Sequence, residues 1–284
     1  MRRCIAAFGV VLAVGLGGCR ERVEPLRPPL ALPRAGGVEL HPLARGRKLD
    51  DPRSFILLIR FRLITVELPI GSVSDSEELW SYVNEEPVGG RIGATLARNG
   101  IRVGVASEQT WTDVAKLLRR LTGKSLARRH LVTHPGAAMP VVLKVAEPLQ
   151  TVFLFRPDRT LIGNDYPPCD NVLMMAGTIN YDEPTDVYLT VGAILRSVGR
   201  RSRYVEGAAG YVLTSLPTYY RLEDMGFTVR IPAGGFVVVG PGPDVRRDTS
   251  PGHRFLVPTR RGLQFETILV IAPEVFAAPV RVSE

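Results

Sequence analysis

From residue 55 to residue 68, apolar and polar positions alternate, with Ile59, Phe61 and Leu63 set against Arg60 and Arg62. A period of two predicts a strand with one buried face. The two central arginines argue against a membrane span here, because each would be costly at mid-bilayer. The period then lengthens. Ser76-Glu77-Glu78 leads into Leu79, Tyr82 and Val83 at helical spacing, and a second short helix is predicted over 91–99, closed by Gly100. Residues 101–106 read as a strand. Trp111, Val114, Ala115, Leu118 and Leu121 then form one apolar helical face, with Thr110 as N-cap, Asp113 in the first turn and Gly123 as the stop.

Pro135, Gly136 and Pro140 mark a boundary within 131–140. Beyond it short strands dominate: 141–145, 151–155, 160–162, 172–179, 187–195, 211–215, 227–231, 236–239 and 265–271. Pro157-Asp158 marks one turn, and Asp182-Glu183-Pro184 the turn of a hairpin. Such regular spacing predicts a sandwich or a curved antiparallel sheet. The expected fold class is therefore α+β, with a small α/β domain over 51–135 and a larger β-rich domain over 136–284. No internal repeat stands out.

The N-terminus carries a different pattern. Met1-Arg2-Arg3 precedes an apolar run over 4–16 and then Gly17-Gly18-Cys19. A basic start, a short apolar run and small residues describe a secretory signal peptide over 1–18, too short for a spanning helix of about 20 residues. Leu16-Gly17-Gly18-Cys19 resembles the bacterial lipobox. That resemblance implies cleavage between Gly18 and Cys19, acylation of Cys19 with fatty acids such as palmitate, and a lipoprotein anchored on the extracytoplasmic side of the cell envelope. Residues 19–50, with Pro25, Pro28, Pro29, Pro33 and Pro42, read as a tether.

Processing changes what composition means. Cys4 would leave with the signal and Cys19 would carry lipid, so Cys169 would stand alone and no intramolecular disulfide could form. Loss of Arg2 and Arg3 would lower the net charge from +8 to +6. Of 36 basic residues only Lys48, Lys116, Lys124 and Lys144 are lysine, and the arginines are spread along the chain. The basic strings Arg119-Arg120, Arg128-Arg129-His130 and 196–203 have only Tyr204 close by for base stacking, so no nucleic-acid partner is expected. They read as solvated faces, with anionic lipid headgroups or polysaccharide as the other use.

Candidate chemistry is sparse. His130 and His134 are spaced for one helix face, but Pro135 disfavours helix there and no glutamate follows His130 as a metalloprotease needs. Asp165-Tyr166-Pro167-Pro168-Cys169-Asp170-Asn171 sets a lone thiol among carboxylates, which raise its pKa and oppose thiolate chemistry. Asp248, Ser250 and His253 are the residue types of a hydrolase triad, but they crowd into a turn-forming loop. Gly89-Gly90-Arg91-Ile92-Gly93 lacks the preceding strand and acidic partner of a nucleotide loop. The acidic pairs Asp50-Asp51, Glu85-Glu86 and Asp182-Glu183 sit at element ends, as caps and turns. No catalytic residue, metal or cofactor is assigned.

In the C-terminal part, Asn180-Tyr181-Asp182 opens a run to Val191. Thr228-Val229-Arg230-Ile231 is joined by Pro232-Ala233-Gly234-Gly235 to Phe236-Val237-Val238-Val239-Gly240. A last apolar run goes from Phe265 to Val275 through Ala272-Pro273-Glu274. The order and the strand–Gly–strand pattern resemble part of the secretin C-terminal β domain. The repeated Pro-x-Leu-Gly lip pattern of that family is absent between Gly240 and Phe255, and too few residues lie there for membrane strands. The resemblance thus implies a sheet that does not span a membrane. Together these readings predict a non-catalytic, lipid-anchored envelope protein that binds or scaffolds an envelope or secretion assembly. One alternative is a lipid-anchored hydrolase with a site near Cys169 or His253. Another is a pilus or secretion-channel component, which a ring-forming sheet edge at 265–271 would support.

Overall fold

The computed structural model describes residues 41–43, 55–124, 126–180, 182–207 and 210–279. The signal peptide, Gly18, Cys19 and most of the tether lie outside the described residues. The elements in chain order are β1 (His41–Pro42), β2 (Phe55–Pro69), α1 (Gly90–Arg98), β3 (Ile101–Ala106), α2 (Trp111–Thr122), β4 (Arg128–Thr133), β5 (Ala138–Glu147), β6 (Gln150–Phe155) and β7 (Leu161–Tyr166). They continue with β8 (Cys169–Ile179), β9 (Val187–Gly207), β10 (Gly210–Ile231), β11 (Phe236–Pro241), α3 (Pro251–Leu256), β12 (Thr259–Arg260) and β13 (Leu263–Pro279). The protein is β-rich, as expected, and all of the pairings are antiparallel.

Two sheets carry the architecture. The first runs β3-β11-β13-β2-β4, with β1 and β12 also on β13; the second runs β10-β9-β8-β5, and β6 and β7 form a separate ribbon. β2, β3 and β4 come from 51–135 and pair in one sheet with β11 and β13, so the expected division at residue 135 is not a division of the sheets. The turn containing Pro135 and Gly136 instead passes the chain from the first sheet to the second, and the Gly136 amide donates to the Gly177 carbonyl of β8 at 2.7 Å. β13 lies between β11 and β2, so 265–271 offers no free edge and the ring-forming reading loses its support.

Alternation along β2 places two cores. Leu57, Ile59, Phe61 and Leu63 join Val237, Val239, Leu269 and Ile271 on one face, against Met175, Leu189, Val191 and Phe227 of the second sheet. The sheets approach closely at Gly177, where an added Cβ would stand 2.6 Å from Cζ of Phe61. Ile64, Val66 and Leu68 face the other way, where Val114, Leu117 and Leu118 of α2 cover them. The helix face read from the sequence is therefore the packed one, and Gly123 ends it at φ +62°. Thr110 precedes α2 but its hydroxyl donates back to the Ser107 carbonyl at 2.9 Å rather than capping, because a 3-10 turn comes first.

Other elements depart from expectation for local reasons. The helical pattern at Ser76–Val83 yields only a 3-10 turn, Trp80–Tyr82. Upstream, the buried Glu266 carboxylate accepts from the amides of Gly71 at 2.7 Å and Val73 at 2.8 Å and from the Ser74 hydroxyl, which fixes a loop there. The strand pair across Pro232–Gly235 is not a hairpin: β10 pairs with β9 while β11 pairs with β3 and β13, so this turn also changes sheets. Between Gly240 and Phe255 lie a 3-10 turn and α3. The long strands stand upstream of them, since β9 and β10 run 21 and 22 residues.

Candidate functional site

The described residues do not cover the second-core face of the first sheet along its whole length. Cross-strand partners share a face, so the registers place His130, Arg62 and Ala272 in one row and Val132, Arg60 and Glu274 in the next. Both rows lie on the side that Ile64, Val66 and Leu68 show to α2. The N-terminal end of the helix reaches only as far as Trp111, whose ring meets Phe236 edge-on at 5.4 Å. Beyond it a groove of about 450 Å³ opens, lined among others by Arg60, Arg62, Glu108, Trp111, His130 and Gly234.

Its two arginines differ in state. Arg60 is bound to Glu274 at 2.5 Å and lies 4.6 Å over the Phe276 ring, so it is neutralised and held. Arg62 lies 5.7 Å from the Trp111 ring centre, and its Nε is buried without an acceptor among the described residues. A buried donor without a partner costs about 1–3 kcal/mol. Gly234 sits at φ +76° with the Glu108 carboxylate 2.6 Å from where a Cβ would be, so the wall of the groove there has no side chain to spare. The groove sets the Arg62 guanidinium and His130 imidazole beside the carboxylates of Glu108 and Glu274, so it offers both donors and acceptors to a polar ligand.

The chemistry singled out in the sequence is dispersed. His130 is on a strand and His134 in the turn after it, both exposed, so the helical spacing does not apply. Among the described residues no cluster of three or more His, Cys, Asp or Glu is placed to hold a metal. Cys169 is fully buried at the start of β8, and burial, with Asp170 adding, pushes its thiol pKa up. Asp165 accepts from the Thr151 hydroxyl at 2.6 Å, and Asp170 pairs with Arg196 at 2.7 Å. Ser250 caps α3 by accepting from the His253 amide at 3.2 Å, while Nδ1 of the His253 ring turns to the Val245 carbonyl at 2.9 Å. This is a helix cap, not a nucleophile–base pair. Gly89 and Gly90 begin α1 after a 3-10 turn, as a helix start.

Two groups of importance have no motif in the sequence. Arg60 and Arg62 look like the polar half of a strand, although they share a face with Ile64, Val66 and Leu68. Lys144 is buried on β5 and donates to the His253 carbonyl at 3.3 Å. Burial pulls its pKa down to about 8, with Glu147 at 4.0 Å opposing and Arg254 reinforcing the shift. Beside it Gln150 and Asn171 bond at 2.9 Å, and Asn171 donates to the Arg254 carbonyl at 2.6 Å. The group fastens α3 to the second sheet.

No family model matches the chain, and no curated protein does. Solved structures similar to it include Aeromonas hydrophila ExeD, at 14% identity and a TM-score of 0.18, covering 80% of this chain and 47% of that one. Another is the InvG secretin domain β-barrel from the Salmonella SPI-1 injectisome NC-base, at 9% identity and a TM-score of 0.15, covering 79% and 59%. The chain thus spans about half the length of the structures it matches. At those scores the likeness carries no argument about fold or function. Among the described residues no helix is long and apolar enough to cross a membrane, which says nothing of strands.

Proposed function

We propose that the chain is a non-catalytic, lipid-anchored protein of the cell envelope that binds or scaffolds an envelope or secretion assembly through the groove at Arg62. The observation that carries the binding role is the open groove itself, with one guanidinium neutralised by Glu274 and the next left with a buried Nε unpartnered among the described residues. The envelope location rests on the N-terminal sequence, with Cys19 as the acylated residue after cleavage at Gly18. The secretin resemblance of the C-terminal segments fits an assembly accessory. The polar groups at Ser250, His253 and Cys169 have structural employment, which fits a binding role better than a hydrolytic one.

Two experiments test the reading. A photo-crosslinking residue at His130, in cells, should give a discrete adduct that Arg62→Ala abolishes while folding is retained. No adduct, or one indifferent to Arg62→Ala, overturns the groove. Acyl labelling of wild type beside Cys19→Ser tests the anchor, and unchanged labelling in the variant overturns it.

A further inference from the structure

β8 pairs with β9 only as far as Ser197, so the outer parts of β9 and β10 project as a two-stranded ribbon. Ten residues at about 3.3 Å each make this projection roughly 30 Å long. Its distal pairs are Tyr204 with Leu213, Val205 with Val212 and Glu206 with Tyr211. Tyr204 is 71% exposed, Tyr211 74%, and Val212 and Leu213 57% each. Partners share a face, so Tyr204, Tyr211 and Leu213 lie on one side and Val205 and Val212 on the other. Apolar side chains thus stand on both faces of the tip, with Glu206 beside the tyrosines on the first. A protein partner docking on one face would leave the other wet, whereas soluble surfaces rarely keep such residues clustered.

Behind the tip the register runs Arg203 opposite Thr214, Ser202 opposite Ser215, Arg201 opposite Leu216 and Arg200 opposite Pro217. Arg200 and Arg201 are exposed, and consecutive strand residues point to opposite faces, so each face carries an arginine at nearly the same level. Tyrosine favours the boundary between headgroups and acyl chains, and arginine reaches from an apolar stem to headgroup phosphates. We propose that the ribbon tip inserts into the interface of an anionic lipid bilayer, with Arg200 and Arg201 as a collar at the phosphates. Insertion is shallow for two reasons. Among the described residues the outer edge of β10 has no neighbouring strand, and open backbone is costly in hydrocarbon. Glu206 sits at the far end of the tip and must stay hydrated. The groove at Arg62 plays no part in this, so either proposal survives the failure of the other.

The test uses the full chain with Tyr211→Trp and vesicles of phosphatidylglycerol and phosphatidylcholine in equal parts, carrying bromines at shallow or deep acyl positions. The indole introduced at position 211 should be quenched by shallow bromines more than deep ones, beyond the signal of wild type. Because the readout is local, contacts made by other parts of the chain do not imitate it. Each arginine near an anionic surface contributes roughly a five-fold gain, so Arg200→Gln with Arg201→Gln should weaken tip insertion about thirty-fold. Leu213→Asp should abolish it and Glu206→Gln should deepen it, with circular dichroism unchanged in each. Absence of quenching overturns the proposal, as does equal quenching in vesicles of phosphatidylcholine alone. Self-association in solution that Leu213→Asp dissolves, without quenching, assigns the tip to a second copy of the chain and also overturns it.

Discussion

Lys144 holds a charge where the protein would be more stable without one. Its ordinary pKa is 10.5 and burial lowers it to about 8, a difference corresponding to about 3 kcal/mol of unfavourable charge burial at pH 7. Replacing it with methionine removes that cost and forfeits one hydrogen bond of about 1 kcal/mol. The His253 carbonyl keeps the Val257 amide at 3.0 Å, so no acceptor is orphaned. Glu147 loses its partner but remains 32% exposed, where water serves it. Lys144→Met should therefore stabilise the protein by about 2 kcal/mol at pH 7, in line with other buried charges replaced by apolar groups. The sign with pH follows from the depressed folded value. Between pH 8 and 10.5 the unfolded chain holds more protons, so wild type gains stability as pH rises while the variant does not gain from this group. Urea denaturation of both proteins at several pH values, followed by tryptophan fluorescence, gives the difference directly. A variant less stable than wild type at pH 7, or a difference independent of pH, would refute the reasoning.

Other outcomes are expected from the same region and its neighbours. Burial, with Lys144 and Arg254 adding, lowers the His253 pKa below 6.5, so this group's share of stability is present above pH 6.5 and is lost as pH falls through the folded value. His253→Gln should flatten that acid limb in denaturation curves. At Gly252 an added Cβ would stand 2.2 Å from the Gly100 carbonyl oxygen and 2.5 Å from its carbon, both rigid backbone. Gly252→Ala should cost about 2 kcal/mol or more and lower the melting temperature by at least about 4 °C. Cys169 should resist a disulfide reagent in native protein with Cys4 and Cys19 replaced by serine, and react at least about ten-fold faster in urea. Native reactivity equal to the unfolded rate would mean that the strand end opens freely.

The fold was legible where burial imposes a period. β3 spans the predicted residues, and β2, α1 and α2 fall within a residue or two, because each shows one continuous apolar face to a core. The outer half of β9 was illegible because both of its faces meet solvent and no burial pattern marks it; 196–203 reads as a basic string, not as a strand, whereas in β10 only the segment 211–215 of the outer half was read as one. The assignment of strands to sheets was hidden for another reason. Two turns, at Pro135-Gly136 and at Pro232–Gly235, have the residue types of ordinary hairpins yet change sheets, and local chemistry is the same in both cases. The groove was invisible as a motif since Arg60 and Arg62 acquire their role only when Trp111, 49 and more residues on, ends α2's cover beside them.

The pairing of β13 with β2 joins Phe265 to Pro69 and Pro279 to Phe55. The central ladder of the larger sheet is thus closed by segments some two hundred residues apart, and β2 must wait for nearly the last strand to arrive. Such separation slows folding, since the intervening chain must be gathered before the ladder repays its ordering. The second sheet has no such dependence, since its strands all lie within 138–231, so a chain made N-terminus first can complete that sheet while the central ladder of the other still lacks its partner.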